Sequence, residues 1–386
     1  MKLLLIITDY GSFNNFLSEL ATTISKMPGF ELHVICSRAK IININDKDVF
    51  ENGNVTFHFV DIPRRITLLG EWLAAKKIYG VVNDIKPDLV HIHFTTASLP
   101  SLLLKNKRIK YWATIHGLGM NASTGFKKVM FTAVEMFCFS RLDRIFVVND
   151  QDFRLVSKYF KDKVKKYDCL GFGCDTDRFQ SENVSVATRD LIRNKYRIED
   201  HHRVIAFTGR FVSFKGFHLV IKSFKVLSER FPGQFKLVLM GGRDPIHQTG
   251  LDEAETDFLE NNGDIINVGF SSNVEQYLAV TDIFLFPSVK EGLPTCTLEA
   301  LAMGVPVISF NTRGNNDIIR DGYNGLLVQA VGDIRENVKN IVDAVTWMTE
   351  HEDRRIEFKN NALQDRYAYS RRLFIDEQLR YYNSGS

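Results

Sequence analysis

The sequence has few of the features that mark secreted, membrane-spanning or metal-binding proteins. Its five cysteines form neither a CxxC pair nor a metal-ligand spacing. An odd, dispersed set of cysteines fits a reducing cytosol better than a disulfide framework. The apolar start KLLLIIT is far shorter than the ~18 residues of a spanning helix, and no other apolar run reaches that length. We therefore expect a cytoplasmic protein that lies on a membrane if it meets one.

The chain also has little net charge, +3 at pH 7, which disfavours a dedicated nucleic-acid-binding protein. The charge is unevenly distributed, because residues 1–170 hold 24 Lys and Arg against 16 Asp and Glu. Such an excess of cations fits contact with an anionic surface, such as a phospholipid leaflet or a lipid diphosphate. Lysines that only solvate helix faces would give the same count, so both interpretations stay open.

The sequence does contain a regular alternation of short apolar runs with longer amphipathic ones. Candidate strands include Leu3–Thr8, Leu89–His93, Val204–Thr208 and Ile283–Phe286, with helical stretches such as Phe217–Arg230 between them. This alternation predicts an α/β fold whose parallel sheets are covered by helices on both faces. Because 386 residues exceed one ordinary hydrophobic core, two Rossmann-like domains in tandem are expected.

The predicted domain boundary lies near Gly171–Asp177, where GFGCDTD carries two glycines and short polar residues, as a hinge would. We expect an N-terminal domain over 1–170 and a C-terminal domain over 171–362. A helix and tail over 363–386 are expected to return to the N-terminal domain. Ligands of open parallel sheets bind at the carboxyl ends of the strands, which places the expected site in a cleft between the domains.

A pair of cations follows the candidate strand Val204–Thr208. In the segment GRFVSFKG, Arg210 and Lys215 share one loop, and Gly216 allows the backbone to turn into the next helix. Two fixed cations at a strand end would stabilise the charge that grows on a departing diphosphate. The glycine spacing does not match a P-loop. A surface loop with two solvated cations is the alternative.

Two glutamates, Glu291 and Glu299, flank a turn after the strand-like run IFLFPS. Gly292 permits a ligand to approach the backbone, and Pro294 stiffens the loop before a predicted helix over Thr295–Ala302. The free N–H groups at the start of that helix would face a phosphate. Glu299 lies in its first turns, where a carboxylate can accept hydrogen bonds from two ribose hydroxyls. An ordinary helix with an acidic residue near its start is the alternative.

Together these motifs resemble glycosyltransferase family 4. The resemblance rests on GRxxxxKG, on the glutamates of EGLPTCTLE and on GVPVISF, and it is strongest over Thr208–Leu327. It implies the GT-B fold, in which two Rossmann-like domains with parallel sheets face each other across a cleft. It also implies transfer of a hexose or N-acetylhexosamine from a UDP-sugar with retention of configuration, without a metal or a resident cofactor.

The resemblance also implies roles for individual residues. Arg210 and Lys215 would bind the diphosphate, Glu299 would hold the ribose, and Glu291 would hold the donor sugar. The base would lie against Val268–Ser271. The donor site as a whole is expected to comprise Gly11, Gly209, Arg210, Lys215, Gly269, Phe270, Glu291, Gly292, Leu293, Pro294, Thr295, Thr297, Leu298 and Glu299. The catalytic group is expected to comprise His116, Arg210, Lys215 and Glu291.

The first half offers less specific signals. In TIHGLG, His116 follows a candidate strand, a place where the family's histidine faces the reacting sugar; a purely structural histidine is the alternative. The loop Asp9–Phe16 stands where relatives carry a glycine-rich turn, but here only Gly11 remains. The segments HGLG, GGRD and TRGNNDIIRDGYNG are similar to bacterial enzymes that extend polyprenyl-diphosphate-linked glycans. An acceptor of that kind is therefore implied, in surface polysaccharide or glycoprotein synthesis.

The stretch Phe126–Phe139 has apolar residues at helical spacing and begins with Lys127 and Lys128. A helix on the cytoplasmic face of a membrane and a helix packed in the core both fit this pattern.

Two other functions are compatible with the predicted fold, and one motif resembles a metal-binding site. A UDP-sugar epimerase would need acid and base carboxylates in the first domain, and a non-catalytic nucleotide-sugar-binding subunit would bind without turnover. Asp175 and Asp177 match the metal-binding DxD of the other main glycosyltransferase fold. They lie in the expected hinge, away from a strand end, so a structural role is favoured.

Overall fold

Strands and helices alternate throughout the computed structural model, which describes residues 1–38, 55–63, 66–121 and 123–384. The strands are β1 Lys2–Asp9, β2 Glu31–Ser37, β3 Val55–Phe59, β4 Leu89–His93, β5 Lys110–Ile115, β6 Arg144–Val147, β7 Val164–Lys166, β8 Arg203–Thr208, β9 Phe235–Met240, β10 Ile265–Gly269, β11 Ile283–Phe286, β12 Val307–Phe310 and β13 Gly325–Val328. The helices are α1 Tyr10–Phe16, α2 Ser18–Ser25, α3 Leu68–Ile85, α4 Thr95–Leu103, α5 Gly125–Arg141, α6 Asp150–Phe160, α7 Val186–Lys195, α8 Phe217–Arg230, α9 Glu253–Asn261, α10 Val274–Leu278, α11 Thr295–Ala302, α12 Asn315–Ile318, α13 Ile334–Glu350, α14 Glu352–Gln364 and α15 Arg371–Ser384. Short 3₁₀ turns lie at Ser181–Asn183, Ser213–Lys215 and Arg366–Tyr369.

Two parallel sheets form the framework. The first has the strand order β3-β2-β1-β4-β5-β6-β7, and the second has the order β10-β9-β8-β11-β12-β13. The apolar residues from Leu3 to Ile7 in β1 are fully buried, as both faces of a parallel sheet must be when helices cover them. The predicted α/β class with two doubly wound parallel sheets is confirmed.

The strand order reverses direction once in each sheet. In the second sheet β8 lies between β9 and β11, so the loops that follow β8 and β11 leave on either side of a topological switch point. In the first sheet β1 lies between β2 and β4 in the same way. Such switch points are where doubly wound sheets bind ligands.

Contacts divide the chain into two compact units, Met1–Phe172 with Ile375–Ser386, and Gly173–Phe374. Helix α15 packs onto the first unit through polar contacts. The Glu377 carboxylate accepts from the backbone N–H of Asp168 at 3.0 Å, and the Tyr382 hydroxyl bonds His91 Nδ1 at 2.7 Å. The end of the predicted tail, 385–386, lies outside the described residues.

The apolar stripe of helix α5 is exposed at Phe126 and Val129, while Phe131 and Val134 pack against the core of the first unit. Phe126 is 83% and Val129 is 65% exposed, whereas Cys138 and Phe139 on the other side of the helix are buried. Helix α5 therefore buries the side that carries Cys138 and Phe139 and leaves apolar residues exposed on the opposite side. Within the described ranges, no helix is both long enough and apolar enough to cross a membrane.

Candidate functional site

The loops at the carboxyl edge of the second sheet approach each other closely because glycines allow it. The Gly209 N–H donates to the Met240 carbonyl at 2.9 Å, and the Gly241 N–H donates to the Gly269 carbonyl at 2.8 Å. A Cβ on Gly241 would lie 1.9 Å from the Gly209 carbonyl oxygen, so no other residue fits there. The ends of β8, β9 and β10 are thereby held together.

The loop after β8 is also fastened to the loop after β11. The Phe214 carbonyl accepts from the Val289 N–H at 3.0 Å. Gly216 has a φ of +75°, and a Cβ there would lie 2.1 Å from the Pro287 carbonyl oxygen. These contacts bring the two predicted donor-binding motifs to one place.

At that place Lys215 and Glu291 form an ion pair. Lys215 Nζ donates to Glu291 Oε1 at 2.9 Å, and Ser288 Oγ donates to the same oxygen at 2.7 Å. Both charged side chains are mostly buried, with 17% and 13% of their surfaces exposed. Within the described part of the chain, Glu291 Oε2 has no partner and can accept a hydrogen bond from a ligand.

Arg210 is paired with a carboxylate that the sequence did not single out as a site residue. Its guanidinium donates to Asp244 and lies over the Phe214 ring, 5.5 Å from the centroid. Burial alone would raise the pKa of Asp244, but hydrogen bonds from the Ile246 N–H, Arg210 and His247 outweigh burial and hold that pKa well below its usual range. Asp244 belongs to the GGRD segment, and the similarity of that segment to bacterial glycan-extending enzymes was the one sequence feature that pointed to this residue.

The turn between β11 and α11 is enclosed by the loop that follows β12. Arg313 Nε donates to the Glu291 carbonyl at 2.9 Å, and a Cβ on Gly314 would lie 2.6 Å from the Gly292 carbonyl oxygen. Leu293 and Thr295 are partly exposed on this turn, whereas Pro294, Thr297 and Leu298 are buried. Burial raises the pKa of the neighbouring Cys296 thiol to about 12, so it is not a nucleophile at neutral pH.

Glu299 lies on α11 apart from the ion pairs. Burial raises the pKa of its carboxyl to about 7, although the positive charges of Arg371 and Arg178 act in the opposite direction. Across the described residues, no hydrogen bond or ion pair satisfies this carboxylate. A half-buried carboxylate of this kind is suited to accept hydrogen bonds from a ligand.

The predicted base-binding loop begins at the end of β10. Gly269 has a φ of +72°, and Phe270 beside it is 83% exposed. An aromatic ring this exposed offers a face on which a planar ligand can stack.

In the first unit, His116 is enclosed by aromatic rings. It stacks between Phe94, with ring centroids 3.7 Å apart, and Phe172, with centroids 4.2 Å apart, while Phe16 meets it edge-on. Burial lowers the pKa of His116 well below its usual value, with a further contribution from His93, so the ring is neutral at pH 7. A neutral imidazole can donate or accept a hydrogen bond but carries no fixed charge.

Two neighbours of His116 were not predicted from the sequence. His93 Nδ1 lies 3.3 Å from His116 Nε2, and His93 is fully buried at the end of β4. Phe94 has a φ of +73°, a region that non-glycine residues rarely occupy and that marks functional sites. The segment LVHIHF contains both residues, but their contact with His116 depends on β4 lying beside β5, which the sequence did not reveal.

The predicted loop after β1 is a helix. Asp9 caps α1 by accepting from the Ser12 N–H at 2.9 Å and from Ser12 Oγ at 3.1 Å, and Gly11 lies in the first turn. The expectation of an open loop over Asp9–Phe16 is wrong, because the aspartate side chain satisfies the helix start.

The Asp175–Asp177 segment makes structural contacts. Asp175 Oδ1 accepts from the backbone N–H groups of Asp177 and Arg178, and Asp177 pairs with Arg372 at 2.5 Å. No group of three potential metal ligands occurs among the residues that the structure describes.

Two family models match the chain. The model described as glycosyl transferases group 1 matches residues 188–365, and the model described as glycosyl transferase 4-like matches residues 3–149. The chain is 25% identical over 312 residues to the capsular polysaccharide biosynthesis glycosyltransferase CapM of Staphylococcus aureus, covering 78% of this chain and 80% of CapM. It is 20% identical over 334 residues to the UDP-Gal:α-D-GlcNAc-diphosphoundecaprenol α-1,3-galactosyltransferase of Escherichia coli, covering 86% and 83%.

Among solved structures, the fold is similar to Anabaena HepE in complex with UDP and glucose. The TM-score is 0.78 at 15% identity, with all of both chains covered. At this level of identity the likeness concerns the fold, which is GT-B.

Proposed function

Because the chain belongs to the group 1 and 4-like glycosyl transferases, we propose that it is a retaining, UDP-sugar-dependent enzyme that extends a lipid-linked glycan. The observation that supports this most strongly is the Lys215–Glu291 ion pair, held beside Ser288 at the switch point of the second sheet. A cation and a carboxylate at one strand end suit a ligand that presents a diphosphate next to a sugar hydroxyl.

The residues of the proposed site contact four parts of the donor. Lys215 and Arg210 bind the diphosphate, and Glu291 accepts a sugar hydroxyl through Oε2. Glu299 accepts from the ribose hydroxyls, and Phe270 lies where the base can stack. The ion pairs with Asp244 and Glu291 hold Arg210 and Lys215 in position for the diphosphate, and hydrogen bonds from the ribose would favour the ionised form of Glu299.

In the proposed reaction the bond between C1 of the donor sugar and the diphosphate oxygen breaks. A bond from C1 to the acceptor hydroxyl oxygen forms on the same face, and the acceptor proton passes to the leaving diphosphate. Lys215 and Arg210 stabilise the negative charge that develops on the leaving group, and such electrostatic stabilisation is usually the largest single contribution to catalysis. No metal is required by this scheme.

The proposed acceptor is a glycan on a polyprenyl diphosphate, with the protein resting on the cytoplasmic face of the membrane. The Escherichia coli relative is a UDP-Gal-dependent galactosyltransferase that acts on a diphosphoundecaprenol-linked sugar, and CapM is a glycosyltransferase of capsular polysaccharide biosynthesis. The exposed apolar face of α5 supports contact with a membrane.

The test is a panel of UDP-hexoses and UDP-N-acetylhexosamines, incubated with short glycans on a lipid diphosphate and with EDTA present. We expect UDP release that depends on acceptor and a product whose anomeric configuration, measured by NMR, matches that of the donor. An inverted product, or loss of activity in EDTA, would contradict the mechanism. Formation of an epimer without acceptor would indicate an epimerase, and binding without UDP release would indicate a non-catalytic subunit.

A further inference from the structure

A groove of about 340 Å³ runs between α5 and α6 of the first unit. Its size is within the range of small-molecule sites. Its walls are mostly apolar and include Thr132, Met136, Phe139, Leu155, Tyr159 and Phe160. None of the residues assigned to donor binding in the second unit lines it.

One end of this groove is positively charged. Lys128, Thr132 and Met136 are four residues apart on α5 and line the same wall, so the lysine continues the apolar row. Lys127 and Lys158, the chain neighbours of Lys128 and Tyr159, are also exposed. In the described ranges, these three lysines have no acidic partner. A ligand that combines an apolar chain with an anionic head has the complementary chemistry.

The groove is fixed to the loop that carries His116. Met120, four residues after His116, also lines it. From α5, the buried Glu135 carboxylate accepts from the Gly119 N–H at 2.7 Å and from the Met120 N–H at 3.0 Å. One carboxylate on α5 therefore links the wall of the groove to the loop that carries His116.

We propose that the groove between α5 and α6 binds the first isoprene units of the acceptor's polyprenyl tail, with Lys128 near its diphosphate. This inference rests on the proposed function, which supplies the lipid-diphosphate acceptor. The groove is distinct from the exposed α5 face that carries Phe126 and Val129, because those residues do not line it. The tail therefore has a site of its own, next to the loop where the acceptor sugar is needed.

The probe is farnesyl diphosphate, titrated calorimetrically into the full chain with UDP at saturation so that the donor site is occupied. We expect saturable binding that weakens tenfold or more in Thr132→Trp, which fills the groove, and in Lys128→Gln, which removes the cation. Val129→Asp, on the exposed face of the same helix, should bind as the wild type does. Inorganic diphosphate should compete only weakly, at concentrations well above those of farnesyl diphosphate, because it lacks the chain.

Equal affinity in the wild type, Thr132→Trp and Lys128→Gln would overturn the assignment, as would full competition by inorganic diphosphate. Thermal unfolding of each variant identifies loss of fold; should Thr132→Trp not fold, Lys128→Gln and a comparison of geranyl with farnesyl diphosphate decide the question. UDP-sugar turnover is measured on the same samples. Turnover without farnesyl diphosphate binding rejects only the groove, whereas groove binding without any UDP-sugar turnover rejects the proposed function.

Discussion

Each cation expected to bind the diphosphate lies beside a carboxylate. Lys215 pairs with Glu291 and Arg210 pairs with Asp244. Lys215 is mostly buried and would be costly without a partner, so Glu291 lowers that cost, and each carboxylate fixes the position of the cation beside it. An incoming diphosphate then meets donors that are already oriented, and this reduces the entropy lost on binding.

Lys215→Ala tests the role of this ion pair. We expect kcat to fall about 10²- to 10³-fold, because a preorganised donor to the leaving diphosphate is removed. Steady-state UDP release is the measurement. The control is Lys290→Ala, an exposed lysine on the adjoining loop, which should retain wild-type turnover. Near-normal activity in Lys215→Ala, with its far-UV circular dichroism unchanged, would contradict the assignment.

Glu299→Gln tests the half-buried carboxylate of Glu299 through the pH dependence of stability. Because the folded pKa is raised to about 7, the native state holds a proton that the unfolded chain releases near pH 4.3, and stability falls as pH rises between these values. Relative to Glu299→Gln, the wild type should lose up to about 4 kcal/mol of unfolding free energy across that window, measured in urea.

The same substitution affects nucleotide binding. Ribose hydroxyls that donate to Glu299 favour its ionised form, so UDP affinity of the wild type should rise as pH passes the raised pKa, and that of Glu299→Gln should rise less. Calorimetric titrations at several pH values make the comparison. The same pH profile in both proteins would remove Glu299 from the nucleotide site.

At the scale of secondary-structure elements, glycines set how closely the strand-end loops approach. Gly216 and Gly233 both have left-handed φ values, +75° and +71°. A Cβ on Gly216 would meet the Pro287 carbonyl at 2.1 Å, whereas a Cβ on Gly233 would meet nothing within 4 Å. The two positions therefore separate backbone strain from steric contact.

Gly216→Ala should destabilise the protein more than Gly233→Ala does. The second substitution introduces only left-handed strain, about 1 kcal/mol, whereas the first also separates the loops after β8 and β11. Gly216→Ala should also raise the KM for the UDP-sugar, since Lys215 precedes the displaced residue. Urea unfolding and donor titration measure the two effects. Equal stability of both variants would show that the loops can separate without cost.

The elements themselves were largely predictable from the sequence. Apolar runs such as Leu3–Thr8 and Val204–Thr208 are local signals, and both are strands. The helix after β1 was missed because the capping by Asp9 resembles the start of a polar loop. The left-handed φ of Phe94 was also missed, since nothing in a phenylalanine predicts it.

At the scale of the whole molecule, the exposed apolar face of α5 lies within the part of the chain, residues 1–170, that carries an excess of Lys and Arg. Burial of apolar side chains and attraction to anionic lipid should act together. We expect cosedimentation with vesicles that contain phosphatidylglycerol, weakening as salt is raised, and little binding to neutral vesicles.

One substitution on each unit distinguishes membrane binding through the α5 face from binding through any exposed apolar residue. Val129→Asp should reduce vesicle binding severalfold, whereas Ile356→Asp, a similarly exposed apolar residue on the second unit, should not. Equal loss in both variants, or none in Val129→Asp, would argue against α5 as the contact.

The sequence by itself determined the α/β alternation, the parallel sheets and the residue types of the donor motifs, because these depend on local apolar spacing and on glycine and charge within single loops. The tertiary structure decided which charges meet. Lys215 and Glu291 are 76 residues apart in sequence, and Arg210 and Asp244 are 34 apart. His93 and His116 come together because they lie at the ends of the neighbouring strands β4 and β5. Those pairs follow from strand order, which places distant loops at one sheet edge. The tertiary structure also decided the exposure of Phe126 and Val129 on α5, since the apolar spacing of this helix fitted the core and the surface equally well.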